Sequence, residues 1–159
     1  MQQSDTSGDR AFSDAELQAA FENCTLPREA WTHRAHVRMA FLYAARHPLA
    51  DAIDCMRRSI RSYNASQQTP ESLERGYHET ITIAFMRLVH DAGSKNGPFQ
   101  NSDAFCASHP ELLEKSVLRK YYSRERLVTL EAKANFVEPD LERLPGSWPM
   151  EEVSDEGAV

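Results

Sequence analysis

The sequence predicts an all-α fold: one compact bundle of five to seven helices carrying an extended C-terminal arm. Three observations predict it. Apolar residues recur three and four positions apart through most of residues 12–133, side chains that suit helix entrances (Ser13, Thr32, Ser123) stand just before those repeats, and no stretch sustains two-residue alternation. A chain of 159 residues is one ordinary domain, long enough to bury about two-thirds of the surface its unfolded form exposes.

Residues 1–11, rich in Gln, Ser, Asp and Gly, read as a disordered lead-in. Ser13 and Glu16 have capping-box spacing, Phe12 and Leu17 have staple spacing, and Leu17, Ala20, Phe21 and Cys24 carry a first helix from about Asp14 to Asn23. After Leu26-Pro27, Thr32 caps a second helix that ends before His47-Pro48. His33, His36, Val37, Ala40 and Ala44 fall on its inner stripe, with Arg34 and Arg38 pointing away. A third helix, Leu49 to Tyr63, turns Ile53, Met56, Ile60 and Tyr63 inward, and the polar stretch Asn64–Arg75 is a surface loop. The fourth helix, Gly76 to about His90, is apolar nearly all round, with only Thr80 and Arg87 facing solvent, as suits the centre of a bundle. Shorter helices follow at Ser102–Ala107, Pro110–Arg119 and Ser123–Lys133. Pro139, Pro145 and Pro149 then make an extended arm that either closes a pocket over the bundle or, more simply, clamps the core, so the helical domain is 12–146 and residues 147–159 are a flexible acidic tail.

Composition narrows the function classes. A net charge of −6 argues against general nucleic-acid binding, which needs a basic face. No run reaches membrane-spanning length and the first ten residues lack the apolar stretch of a signal peptide, so a soluble cytoplasmic protein is expected. Three cysteines, Cys24, Cys55 and Cys106, without a CxxC pair fit a reducing compartment. Seven arginines between Arg28 and Arg61 stand against Glu29, Asp51 and Asp54, which reads first as a solvated face paired with acidic neighbours and second as a fork-shaped donor for an anionic substrate. Small helical domains of this kind also pair through exposed apolar stripes, which allows a homo-oligomer.

The chemistry-bearing candidates are His33 and His36, three apart, and the pair His78-Glu79 at the entrance of the fourth helix. Positions three apart share a helix face, so the two helices can aim these groups at one centre. A helix entrance opposes imidazolium formation and keeps histidine neutral, as a metal ligand must be. His33, His36, His78 and Glu79 are therefore the expected ligands of a transition metal ion, iron, copper or zinc, with Glu79 alternatively a general base or an acceptor that orients an imidazole. His47, His90 and His109 read as surface or loop residues, and Tyr43, Tyr77, Thr80, Thr82 and the tryptophans Trp31 and Trp148 as packing or capping groups. There is no glycine-rich phosphate loop, GxSxG or HExxH.

The segments WTHRAHVRMA (Trp31–Ala40), GYHETIT (Gly76–Thr82), YYSRERL (Tyr121–Leu127) and FVEPDL (Phe136–Leu141) resemble those of a family of short bacterial all-helical proteins, most of them hypothetical, over nearly all of Phe12 to Pro145. The resemblance implies that His33, His36, His78 and Glu79 belong to the family pattern, with Arg38 a lesser member. The expected function is a metal-dependent enzyme acting on a small molecule, leaning to oxidative chemistry at non-haem iron or copper. In it Glu79 and Arg38 are the catalytic residues, Arg38 orienting an anionic substrate. The alternatives are zinc-dependent hydrolysis, a metal-free lyase or isomerase in which His78 and Glu79 exchange protons, and a non-enzymatic binding protein.

Overall fold

At the first helix entrance Ser13 and Glu16 bond reciprocally, the hydroxyl accepting from the Glu16 amide and the carboxylate from the Ser13 amide. This capping box opens α1 (Asp14–Glu22) in the computed structural model, which describes residues 8–146. Six further α-helices follow among the described residues: α2 (His33–Arg46), α3 (Leu49–Ser66), α4 (Glu79–Asn96), α5 (Ser102–Ser108), α6 (Arg124–Leu127) and α7 (Leu130–Ala134). No strand forms among these residues, and β pairing is limited to an isolated bridge between Ser72 and Arg75. No helix among the described residues is long and apolar enough to cross a membrane.

Local chemistry accounts for the boundaries. Thr32 caps α2 by accepting from the Ala35 amide at 3.1 Å, and Ser123 caps α6 by accepting from the Arg126 amide. α4 starts three residues later than its apolar pattern suggests. Gly76 sits at φ +93°, where a Cβ would strike the Glu71 carboxylate, and His78 is extended. The helix expected at Pro110–Arg119 resolves into two 3₁₀ segments, Pro110–Leu113 and Lys115–Lys120, because Glu114 between them is extended. The one expected at Ser123–Lys133 breaks at Val128, and Thr129 caps α7 afresh.

α2 runs through the middle, packed on α3, α4 and α5. Ala35, Met39 and Ala40 of α2, Ala52, Ile53 and Met56 of α3, and Ile83, Ala84 and Met86 of α4 are all buried. The alanines let the helix axes approach, while each larger apolar side chain withdrawn from water contributes about 1.5–3 kcal/mol. Phe21 of α1 stacks on Trp31 at 4.1 Å, joining the first helix to the entrance of α2.

Two expectations are corrected at the ends of the domain. Order begins before residue 12: Gly8–Ala11 form a 3₁₀ turn whose Asp9, 2 % exposed, accepts hydrogen bonds from Thr32, Arg34 and Arg38. Residues 1–7, the tail 147–159 and Trp148 lie outside the described residues. Thr80 and Arg87 do not face solvent, because the C-terminal arm covers them. The Thr80 hydroxyl donates to the Asn135 carbonyl and accepts from the Val137 amide, and Arg87 donates to the carbonyls of Pro145 and Gly146. Thr80→Val keeps the shape and removes both hydroxyl bonds, leaving buried arm groups unpaired. It is expected to cost about 1–3 kcal/mol and to make the arm the first site of limited proteolysis.

Candidate functional site

The facing entrances of α2 and α4, roofed by the 73–76 loop and walled by residues 115–128, enclose a chamber of about 710 Å³. A second chamber of about 430 Å³, lined by Arg28, Tyr63, Asn64 and Gln67, shares with it the side chains of Trp31, His36, Ile60, His78, Ile81 and Thr82. His33, His36 and His78 all line the larger chamber, which is the convergence expected of the histidines. Glu79 does not line either chamber.

Hydrogen bonds to backbone carbonyls assign the tautomers, since a carbonyl oxygen only accepts. His33 Nε2 stands 3.0 Å from the Leu112 carbonyl and therefore carries the proton, leaving Nδ1 as an acceptor. His36 is the reverse: Nδ1 donates to the Thr32 carbonyl at 2.8 Å, leaving Nε2. His78 has no nitrogen left. Its Nδ1 accepts from the Ile81 amide as the N-cap of α4, and its Nε2 donates to the Leu127 carbonyl at 3.1 Å. It is a structural joint between α4 and α6 rather than an open ligand.

All three imidazoles are held neutral. Burial lowers His33 and His78, partly offset by their carbonyl partners. His36, sandwiched against Trp31 at 3.8 Å, is pushed down to about 4, burial again being the largest cause and the neighbouring His33 and Lys115 adding to it. Only His33 has an anionic neighbour that favours its charged form, Glu114.

Glu79 takes a different place from the one its spacing suggests. Adjacent helix residues diverge by about 100°, and Glu79 turns toward α3, where Arg57 donates to both its oxygens at 3.1 and 2.8 Å and the Tyr77 hydroxyl donates at 2.7 Å. Those donors hold its carboxyl below the usual range against the opposing effect of burial. Arg38 is also reassigned. It is wholly buried, and its Nε, Nη1 and Nη2 donate to Ser102, to Asp9, and to Phe12 and Asp14. It pins the lead-in, α1 and α5 to α2 and lines neither chamber. The remaining arginines of the basic stretch are largely engaged in the same manner, Arg34 with Asp9 and Asp103, Arg58 with Asp54, Arg28 with Gln67 and Arg46 with Gln18.

The four-ligand centre is thus not assembled in this structure. Among the described residues no three His, Cys, Asp or Glu side chains gather as a metal-holding group. Two imidazoles with an unshared acceptor nitrogen remain, His33 and His36, their ring centroids 6.5 Å apart and nearly parallel at 23°. His109, expected at the surface, is buried against Phe99 and Phe105 and bonded to Asn96, and the three cysteines are free, with the Cys106 thiol raised to about 11 by burial.

Sequence reasoning missed Trp31 as the floor under His36, Phe85 edge-on to His33 at 5.2 Å, and the cations of residues 115–124. Trp31 precedes the helix and so falls outside any periodicity. The cations come from the 3₁₀ segment Lys115–Lys120 and the first residue of α6, which no spacing rule links to α2. No protein-family model, curated protein or solved structure matches the chain.

Proposed function

We propose that the protein is an enzyme that moves a proton on a small molecule held in the larger chamber, with His33 as proton acceptor and His36 as the neutral acceptor that orients the substrate. The observation that carries this reading is the tautomer pattern: two imidazoles lining one chamber, each anchored through one nitrogen to a backbone carbonyl and each with the other nitrogen unpartnered among the described residues. The division of roles follows from environment. A group near 4 is a feeble base at neutral pH but a dependable neutral hydrogen-bond acceptor, whereas Glu114 favours a proton on His33. The surroundings suit such chemistry, because Val37, Ala40, Met86 and Val89 supply a dry wall that strengthens polar contacts made inside. His78 and Glu79 support the frame: one caps α4, the other locks α4 to α3.

The test uses tag-free protein in D₂O with a panel of small carbon acids (2-oxo acids, 3-hydroxy acids and ketones), following loss of the acidified C–H signal by proton NMR. Exchange is expected for at least one member, unaffected by chelator, and about 10²–10⁴-fold slower in His33→Gln. No exchange on any member, or equal rates in His33→Gln and wild type, overturns the reading. Exchange that stops with chelator and returns with iron, copper or zinc overturns it in favour of metal-dependent chemistry at the same histidines.

A further inference from the structure

Five cationic side chains and one carboxylate line the larger chamber: Arg75, Lys115, Arg119, Arg124 and Lys133 against Glu74. This stands in a chain whose net charge is −6, so the sign at the chamber opposes that of the whole. Lys133 is committed to Glu71 and to the Tyr77 carbonyl. Arg75, Lys115, Arg119 and Arg124 have no ion-pair partner among the described residues, although Arg34, Arg38, Arg57, Arg58 and Lys95 all have one. Four cations without an ion pair, against one lining carboxylate, give the chamber an excess of positive charge that favours an arriving anion. Behind them the wall is apolar.

We propose that the chamber takes a free amphipathic anion, a carboxylate or phosphate ester with an extended apolar body. The anionic group lies at the rim on Lys115, Arg119 and Arg124, the body lies along the apolar wall, and the reacting carbon reaches His33. Arginine forks suit the paired acceptor oxygens of a carboxylate or of one edge of a phosphate. This inference rests on the chamber being the ligand site of the proposed function, but it assigns a ligand class and three recognition residues of its own.

Trp31 lines both chambers and reports occupancy by fluorescence, and since the chain has only Trp31 and Trp148, Trp148→Phe leaves it the sole reporter. In that background, decanoate and decyl phosphate below their micellar concentrations are expected to give saturable changes with Kd at least about tenfold lower than decanol at low salt, the gap narrowing as salt is raised. The triple variant Lys115→Ser, Arg119→Ser, Arg124→Ser changes three exposed positions and is expected to bring decanoate to the affinity of decanol while decanol itself is unchanged. Equal affinity for decanoate and decanol in the starting protein, an undiminished gap in the triple variant, or no saturable response to decanoate overturns the proposal. So does sedimentation with phosphatidylglycerol vesicles that the triple variant abolishes, which would assign the cations to a lipid surface. Anion selectivity without proton exchange leaves this inference standing and removes the proposed function. Exchange on neutral substrates without anion selectivity does the opposite.

Discussion

Arg38→Met is expected to destabilise the fold by about 3–5 kcal/mol, read as a lower urea midpoint with an unchanged slope. The guanidinium is wholly buried and serves five acceptors from the lead-in, α1 and α5: the Asp9 carbonyl and carboxylate, the Phe12 carbonyl, the Asp14 carboxylate and the Ser102 hydroxyl. Methionine fills similar space and supplies no donor, so Asp9, 2 % exposed, keeps only Thr32 and Arg34 for its charge. The cost comes from leaving buried acceptors on three segments without their donor, the Asp9 and Phe12 carbonyls among them, and Asp9 with only part of its charge compensated, more than from the loss of attraction itself. Arg38→Lys is expected to recover only part of the loss, since three ammonium donors in one place cannot span acceptors on three segments. A role in orienting substrate makes a different forecast: weaker binding at unchanged stability. A urea midpoint for Arg38→Met within error of wild type would therefore return Arg38 to the candidate site.

Stability is expected to fall as the pH is lowered from about 6.5 to about 4, and His36→Phe is expected to remove about 3 kcal/mol of that fall. The direction follows from proton counts. His36 in the unfolded chain takes up a proton as the pH passes 6.5, whereas the folded ring, half-buried and packed on Trp31, refuses one until about 4. Between those limits the unfolded form binds more protons, so the folded form loses up to about 1.4 kcal/mol per pH unit, and below the lower limit this group adds nothing further. His33 and His78, also lowered by burial, act in the same direction at the upper end of this window. Asp14 and Glu79 act separately. Against the raising effect of burial, Ser102 and Arg38 hold the Asp14 carboxyl low and Arg57 and Tyr77 hold that of Glu79 low, so their stabilisation is present above the ordinary carboxylate range and is lost as the pH falls below it, through their lowered values. Subtracting the His36→Phe profile from the wild-type one isolates the imidazole, because phenylalanine keeps the aromatic contact and cannot titrate. Denaturant titrations at half-unit intervals from pH 7.5 to 4 make the measurement. Parallel profiles would mean that His36 is protonated in the fold near its ordinary value, and the neutral pair on which the proposed chemistry depends would be lost.

The elements that sequence reading located best are those specified within four residues. The capping box of Ser13 and Glu16, the Thr32 cap and the inward stripe of α2 are local events, each decided by a side chain and an amide one turn away. Errors gathered where a distant segment sets the environment. Thr80 and Arg87 are polar residues on an otherwise apolar helix, and only the arm lying across them, more than fifty positions later, turns them inward. Pro110–Lys120 has helical spacing, yet Glu114 adopts an extended conformation and the segment divides.

The candidate site divides along the same line. From residues alone it followed that the fold is all-helical and that His33 and His36 share a face of α2, because helical periodicity and N-capping are short-range. Tertiary structure decided what those residues can do. Carbonyls from Leu112 and Thr32 select the tautomers, Leu127 consumes the last nitrogen of His78, and Arg57 draws Glu79 away toward α3. A side chain's type and spacing establish which face it occupies, but its protonation and its free lone pairs depend on its partners, which in three of these four cases come from 22 to 79 positions away, and only the folded arrangement supplies them.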